Sequence, residues 1–89
     1  MSKNISVSEE VVNDILKRIH ILVEESTILI NQANRSVTSA EIQGWNDINY
    51  IHFKDNYDNA ERQVKEGLKE FEESIIPELK RILNSIEEF

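Results

Sequence analysis

Apolar and small residues recur along the first part of the chain at alternating steps of three and four. This series is Val12, Ile15, Ile19, Leu22, Ser26, Leu29 and Ala33, and a second series spaced by seven is Leu16, Val23, Ile30 and Val37. Such steps place side chains on one face of an α-helix, and the second series widens that face. With Ser6 and Glu9 spaced as a capping box at its start, the pattern predicts a helix over about residues 7–37.

The pattern is lost in the next stretch, "RSVTSAEIQGWND", which collects Ser, Thr and Gly and predicts a turn over about residues 38–47, near Gly44. Asp47, or Asn46 before it, can cap the helix that follows. Helical spacing then returns and predicts a second helix over about residues 48–88. Its apolar positions are Phe53, Tyr57, Ala60, Val64, Leu68, Phe71, Ile75, Leu79, Ile82, Ile86 and Phe89.

Pro77 disturbs the second helix. The apolar steps contain two consecutive fours, and the second, from Ile75 to Leu79, brackets the proline. Proline removes one helical hydrogen bond and clashes with the carbonyl four residues earlier. We therefore expect a kink near Pro77, with a helix break and fresh start as the alternative.

Two antiparallel helices cover only one side of each other, so the broad apolar faces would remain half exposed in a lone hairpin. The sequence thus predicts an all-α domain spanning residues 1–89, an antiparallel two-helix hairpin that pairs into a four-helix-bundle dimer. The hairpin core and dimer seam are expected to use Leu16, Ile19, Val23 and Ile30 of the first helix with Val64, Leu68, Phe71 and Ile75 of the second.

Composition limits the partners. The net charge of -7 disfavours nucleic acid and anionic membranes, because both repel an acidic surface. The chain has no apolar run of membrane-spanning length and no signal-peptide layout at its start, and it contains no cysteine. We expect a cytoplasmic protein without membrane insertion, or one exported without a cleavable signal peptide.

Candidate chemistry is sparse. His20 and His52 fall on different predicted helices, and neither has a second histidine or a carboxylate pair at metal-ligand spacing. The paired glutamates are sequence neighbours, which point in different directions on a helix and are typical of a solvated face. No phosphate loop, nucleophile elbow or zinc-protease motif occurs. The sequence predicts no enzymatic activity, no cofactor and no metal site.

Trp45, Asp47 and Phe53 stand as W-x-D followed by an aromatic residue eight positions after the tryptophan, between two long amphipathic helices. In this the chain resembles, over almost its whole length, the WXG (Trp-X-Gly) family of type VII secretion, also called the Esx or early-secreted-antigen-like proteins. The resemblance implies that Gly44, Trp45, Asp47 and Phe53 form the inter-helix turn. It also implies homodimers or heterodimers that leave the bacterium as folded substrates or accompany a larger one.

Two departures from the family change the expectation. Asp47 stands where the family has glycine, and the end of the chain lacks the tyrosine of the family's Tyr-x-x-x-Asp/Glu secretion tail. The chain is therefore similar to targeting or adaptor proteins. Such proteins pair with toxins that carry an amino-terminal Leu-X-Gly helical domain, and they also contact the secretion machinery. The alternative is a helical dimerisation or regulatory module unrelated to secretion, and a membrane-surface helix ranks third because of the acidic charge.

Overall fold

The protein consists of two helical arms joined by a short turn. The computed structural model describes residues 8–87. The first arm is α1 (Glu9–Ile42), and the second contains α2 (Ile48–Glu70), a π-helical segment (Phe71–Ile75) and α3 (Ile76–Glu87). The all-helical class predicted from the sequence is confirmed. Two positions used in that prediction, Ser6 of the capping box and Phe89, lie outside the described residues.

The first helix begins at Glu9, two residues later than the sequence predicts. Ser8 has an extended backbone, and its hydroxyl oxygen accepts a hydrogen bond from the Val11 amide at 3.3 Å. This satisfies one of the amides that a helix start leaves unpaired. Glu9 and Glu10 in the first turn place negative charge at the positive end of the helix dipole, which also favours a start here.

The first helix also ends later than predicted, at Ile42 instead of about Val37. The Ser and Thr residues that suggested a loop lie on its exposed side, whereas Val37 and Ala40 are half-buried and continue the inward-facing row. This burial outweighs the modest helix propensity of Ser and Thr. The turn is consequently shorter than predicted and covers residues 43–47.

The arms contact each other near the turn and again toward their far ends. At the turn end, the Tyr50 hydroxyl donates to Glu41 at 2.8 Å, and further along the Tyr57 hydroxyl donates to Asn34. At the other end, α1 contacts the π-helical segment and α3. The molecule is correspondingly long and thin, measuring 66 × 18 × 15 Å.

Burial between the arms is shallow. Within the described range, the buried apolar residues are Val12, Tyr50 and Ile76. Val12 and Ile76 lie toward the chain ends, and Tyr50 lies beside the turn. Most other inward-facing residues are only half-buried, so two arms alone do not form a broad core.

A π-helical turn lies just before Pro77, where the sequence predicts a kink. The Ile76 amide donates to the Phe71 carbonyl, five residues back, and α3 then continues through Pro77 without a break. In a regular α-helix the proline ring would clash with the Glu73 carbonyl. The wider π turn reorganises the backbone at that point, and it also accounts for the irregular apolar steps of the sequence.

Candidate functional site

The turn between the arms depends on one glycine. Gly44 has a φ of +105°, the left-handed region that glycine adopts without strain. Its amide donates to the Glu41 carbonyl at 3.0 Å, and the Trp45 amide donates to the Ala40 carbonyl at 3.0 Å. These two bonds form a Schellman motif, which ends α1 and satisfies its last carbonyls. Gly44 therefore supplies the positive φ, and position 47 does not need a glycine.

Asp47 is the residue that starts α2. Its backbone is extended, and its Oδ1 atom accepts a hydrogen bond from the Tyr50 amide at 3.0 Å, as an N-cap does. The same oxygen accepts a second bond from Nε1 of Trp45 at 3.1 Å. One carboxylate therefore caps the helix and fixes the orientation of the indole.

Aromatic rings continue from the indole along the second arm. Trp45 stacks on Phe53 with ring centroids 5.6 Å apart and meets Tyr50 edge-on at 5.1 Å. Phe53 in turn lies 5.7 Å from the ring of Tyr57. Such pairs stabilise beyond the area they bury. The structure thus brings Trp45, Asp47 and Phe53, predicted as parts of one motif, into one connected cluster.

Tyr50 is the member of this cluster that the sequence analysis missed. It is buried, and it connects the two arms through its bond to Glu41. A usable signal was present, because Tyr50, Tyr57, Val64 and Phe71 repeat every seven residues. Extending the apolar series one heptad upstream of Tyr57 would have found it.

The surroundings of the cluster raise the pKa of its two phenols and of Lys54 beside them. Burial, followed by the hydrogen bond to Glu41, raises the pKa of the Tyr50 phenol, and burial with the nearby Glu61 carboxylate raises that of Tyr57. The hydrogen bond to Asp58, at 2.6 Å, raises the pKa of Lys54. Both phenols therefore stay protonated at neutral pH, and they act here as hydrogen-bond donors between the arms.

The eight predicted interface residues differ in how far they are buried. Seven of them are half-buried on the inward-facing rows of the arms: Leu16, Ile19, Val23, Ile30, Leu68, Phe71 and Ile75. The eighth, Val64, is 47% exposed. The described structure contains a single chain, so the use of these residues against a partner stays a prediction.

A second apolar surface remains uncovered beside the inward-facing rows. We call it the open face, and it comprises Ile15, Leu22, Leu29 and Ala33 of α1 with Phe53, Ala60 and Val64 of α2, all exposed. Leu29, Ala33, Ala60 and Val64 line one groove of about 270 Å³ between the arms. Ile15 and Leu22 extend the same stripe because they precede Leu29 by fourteen and seven residues. Four of the seven members of the first apolar series therefore lie on this face.

The other side of the two arms is polar. A groove there is lined by Thr38, Lys54, Asp58 and Lys65 among others, and a second one by Lys65, Lys69, Glu72 and Glu73. The Lys54–Asp58 and Lys65–Glu61 pairs are exposed or half-exposed ion pairs, which contribute little to stability. These two grooves are therefore charged, in contrast to the open face.

Over residues 8–87, no three His, Cys, Asp or Glu side chains gather in a way that could hold a metal ion. In the same range, no helix combines the length and the apolar character needed to cross a membrane.

Comparison with known proteins adds no relative. A scan of protein-family models, a search of curated proteins and a search of solved structures each returned no match.

Proposed function

We propose that this chain is a non-enzymatic helical protein of a bacterial type VII secretion system. In this role it is either a secreted substrate or the targeting partner of a secreted toxin. Its two arms form a hairpin that pairs with another helical protein as a homodimer or heterodimer, and a Leu-X-Gly toxin domain is one such partner. It is made in the cytoplasm and exported from there.

The observation that carries the proposal is the arrangement of Trp45 at the junction of two long amphipathic arms. The indole stacks on Phe53 and donates to Asp47, the residues through which the sequence resembles the WXG family. Trp45 nevertheless remains 40% exposed. A large side chain that is held in one orientation and still partly accessible suits a recognition element at the tip of a bundle.

The departure at position 47 is compatible with this proposal. In the resembled family a glycine stands there, whereas this chain obtains its positive φ from Gly44 and uses Asp47 as a helix cap. The chain therefore reaches a tight turn with an oriented tryptophan by a different assignment of residues. A loss of the motif glycine does not remove the turn.

Export of Trp45 variants tests the proposal. Trp45→Ala is expected to retain helical circular dichroism but to lower the amount of protein in the culture medium, or its recovery with the co-expressed toxin. Ile48→Ala is the matched control, because Ile48 is a large exposed side chain three residues away. Unchanged export and unchanged recovery for Trp45→Ala would contradict the secretion role.

The second candidate is a helical dimerisation or regulatory module unrelated to secretion. The open face favours it equally, since any protein that pairs through helices would carry one. Trp45→Phe separates the two candidates: it retains an aromatic ring for stacking on Phe53 but removes the donor to Asp47. A near-neutral result in every assay supports the module, whereas an export defect supports recognition of the tryptophan.

A further inference from the structure

We propose that two hydrogen bonds on the polar side of the arms hold them in the rotation that leaves the open face uncovered. The first is donated by the Tyr50 hydroxyl to Glu41 at 2.8 Å. The second is donated by the Tyr57 hydroxyl to Asn34, and we call the two bonds the clasp. This role rests on the proposed function, because it makes these four side chains positioning residues for the surface that a helical partner would meet.

The clasp is the polar link between the arms. Among residues 8–87, the other side-chain hydrogen bonds and the ion pairs join positions at most four apart, so they stay within one arm or within the turn. The two bonds of the clasp span nine and twenty-three positions. Asn34 and Glu41 are seven residues apart, and so are Tyr50 and Tyr57. Each arm therefore contributes one stripe to the clasp, and two bonds along a stripe restrain rotation of the arms.

Tyr57 lies at the seam between an apolar and a polar groove. Its side chain lines the groove of the open face with Ala33 and Ala60, and it also lines, with Asn34, the first of the two polar grooves. Glu61, one turn further along α2, lines both grooves as well. The Tyr57 hydroxyl is held at Asn34, on the polar side. The clasp therefore closes the seam on that side and leaves the other side open.

Asn34 and the open face lie on opposite edges of the inward-facing side of α1. Leu29 and Asn34 are five residues apart, which places them about 140° apart around the helix axis. Ile30 lies between them on the helix surface and is half-buried. Glu41 follows Asn34 by seven residues on the same stripe. A rotation of α1 that brought Leu29 against the other arm would therefore carry Asn34 and Glu41 away from the two tyrosine hydroxyls.

Burial of apolar surface favours such a rotation. Leu22, Leu29 and Val64 are 46%, 62% and 47% exposed, and removal of apolar surface from water is favourable. In a lone chain, the other arm is the apolar surface nearest to these side chains. The clasp opposes the rotation, because its loss would remove the hydrogen bond of Asn34, a half-buried amide.

Asn34 is a polar residue at an inward-facing position. It lies between Ile30 and Val37 along α1, and all three residues are half-buried. A single polar residue in an apolar seam lowers stability but fixes the alignment of the helices that meet there. The residue at this position therefore suits alignment of the arms rather than the greatest stability.

Distances between spin labels on the two sides of the hairpin test the role of the clasp. The chain contains no cysteine, so a pair of introduced cysteines carries the only labels. Thr38→Cys with Asp58→Cys reports on the polar groove. Ser36→Cys with Asn56→Cys reports on the open face, because both residues are exposed and lie three residues from its members Ala33 and Phe53. Labelled protein is diluted with unlabelled protein, so that only distances within one chain are measured.

Tyr50→Phe combined with Tyr57→Phe removes both bonds but keeps both rings, so the helices and the ring contacts should persist. We expect the distance across the polar groove to increase by several ångström and the distance across the open face to decrease. Thr27→Val is the matched control, because the Thr27 hydroxyl donates to the Val23 carbonyl within α1. This variant should leave both distances unchanged.

A second variant protects the test against loss of folding. Asn34→Leu removes the acceptor of Tyr57 and places a good helix former at an inward-facing position, so circular dichroism should remain helical. It should change the two distances in the same directions but less, because the bond between Tyr50 and Glu41 remains. Unchanged distances in both variants would overturn the role of the clasp. An increase on both sides would also overturn it, because the bonds would then only hold the arms together.

The clasp and the secretion role fail separately. The distances are measured on the chain alone, whereas export of Trp45→Ala does not depend on the clasp, since Trp45 is not part of it. Distances that change as expected, with normal export of Trp45→Ala, support the clasp and reject the secretion role. Unchanged distances, with impaired export of Trp45→Ala, reject the clasp and support the secretion role.

Discussion

The Nε1 atom of Trp45 lies 3.1 Å from Oδ1 of Asp47, and that oxygen also accepts the Tyr50 amide at 3.0 Å. The start of α2 and the orientation of the indole therefore depend on the same acceptor atom. A change at Asp47 should affect the stability of the helix and the environment of the tryptophan together.

Asp47→Ala should lower the free energy of unfolding by about 1–2 kcal/mol, because it removes an N-cap acceptor together with its second bond. Asp47→Asn keeps a side-chain oxygen and should cost less. Urea unfolding followed by circular dichroism measures the stability, and fluorescence reports on the chain's single tryptophan. Equal stability and equal emission for Asp47→Ala and the unchanged protein would refute the shared-acceptor model.

Replacement of the two glycines by alanine should change the stability of the protein in opposite directions. Gly44→Ala forces an L side chain into a positive φ and should cost about 1–2 kcal/mol. Gly67 lies within α2 and has open space around a built Cβ, so Gly67→Ala should stabilise the monomeric chain by about 0.5–1 kcal/mol. Thermal unfolding of both variants in dilute solution measures the two effects. A shift of Tm in the same direction for both variants would argue against the Schellman turn.

Alkaline pH should destabilise the contact between the arms. The pKa of Tyr50 is raised in the folded state above its ordinary value of 10.0, so its protonated form is the one that folding favours. Its contribution to stability is fully present below pH 10 and is lost as the pH rises through the higher folded-state value. In a pH titration, absorbance of the tyrosinate anion should therefore rise at a higher pH in the folded protein than in the unfolded chain.

Tyr50→Phe is the control for this pH dependence. It leaves Tyr57 as the remaining tyrosine, removes the bond to Glu41, and should reduce the alkaline loss of stability. If the variant and the unchanged protein lost stability identically between neutral and alkaline pH, the assignment to Tyr50 would be wrong.

Two isoleucines compare buried and exposed positions on the second arm. Ile76 is 6% exposed, and Ile76→Ala should cost about 2–5 kcal/mol through lost burial and the cavity left behind. Ile51 is exposed, and Ile51→Ala should cost less than about 1 kcal/mol. Chemical unfolding at matched protein concentration measures both, and equal losses would contradict the contact of α3 with α1.

Much of this architecture could be predicted from the sequence. Apolar spacing predicted two long helices, and the residue types around Asp47 predicted a cap. The spacing could not show where α1 ends, because Thr38 and Ser39 suit loops and exposed helix positions alike. The end is decided by the burial of Val37 and Ala40, which depends on the other arm.

The open face is a second feature that the sequence alone could not predict. Its leucines belong to the apolar series that the sequence revealed, yet the series does not say which member meets the other arm. Val12 is 2% exposed, whereas Ile15, one step along the same series, is left uncovered. The division depends on the rotation of each arm about its axis, which only the packed structure supplies.

The π-helical segment before Pro77 makes the second arm longer in residues than a regular helix covering the same path. The donor Ile76 lies five positions after its acceptor Phe71, whereas a regular α-helix has four. Each added residue turns the chain by about 100° about the helix axis. The segment thus sets the rotational phase of α3, and deletion of Ser74 would turn Ile76, Leu79 and the residues beyond them away from α1.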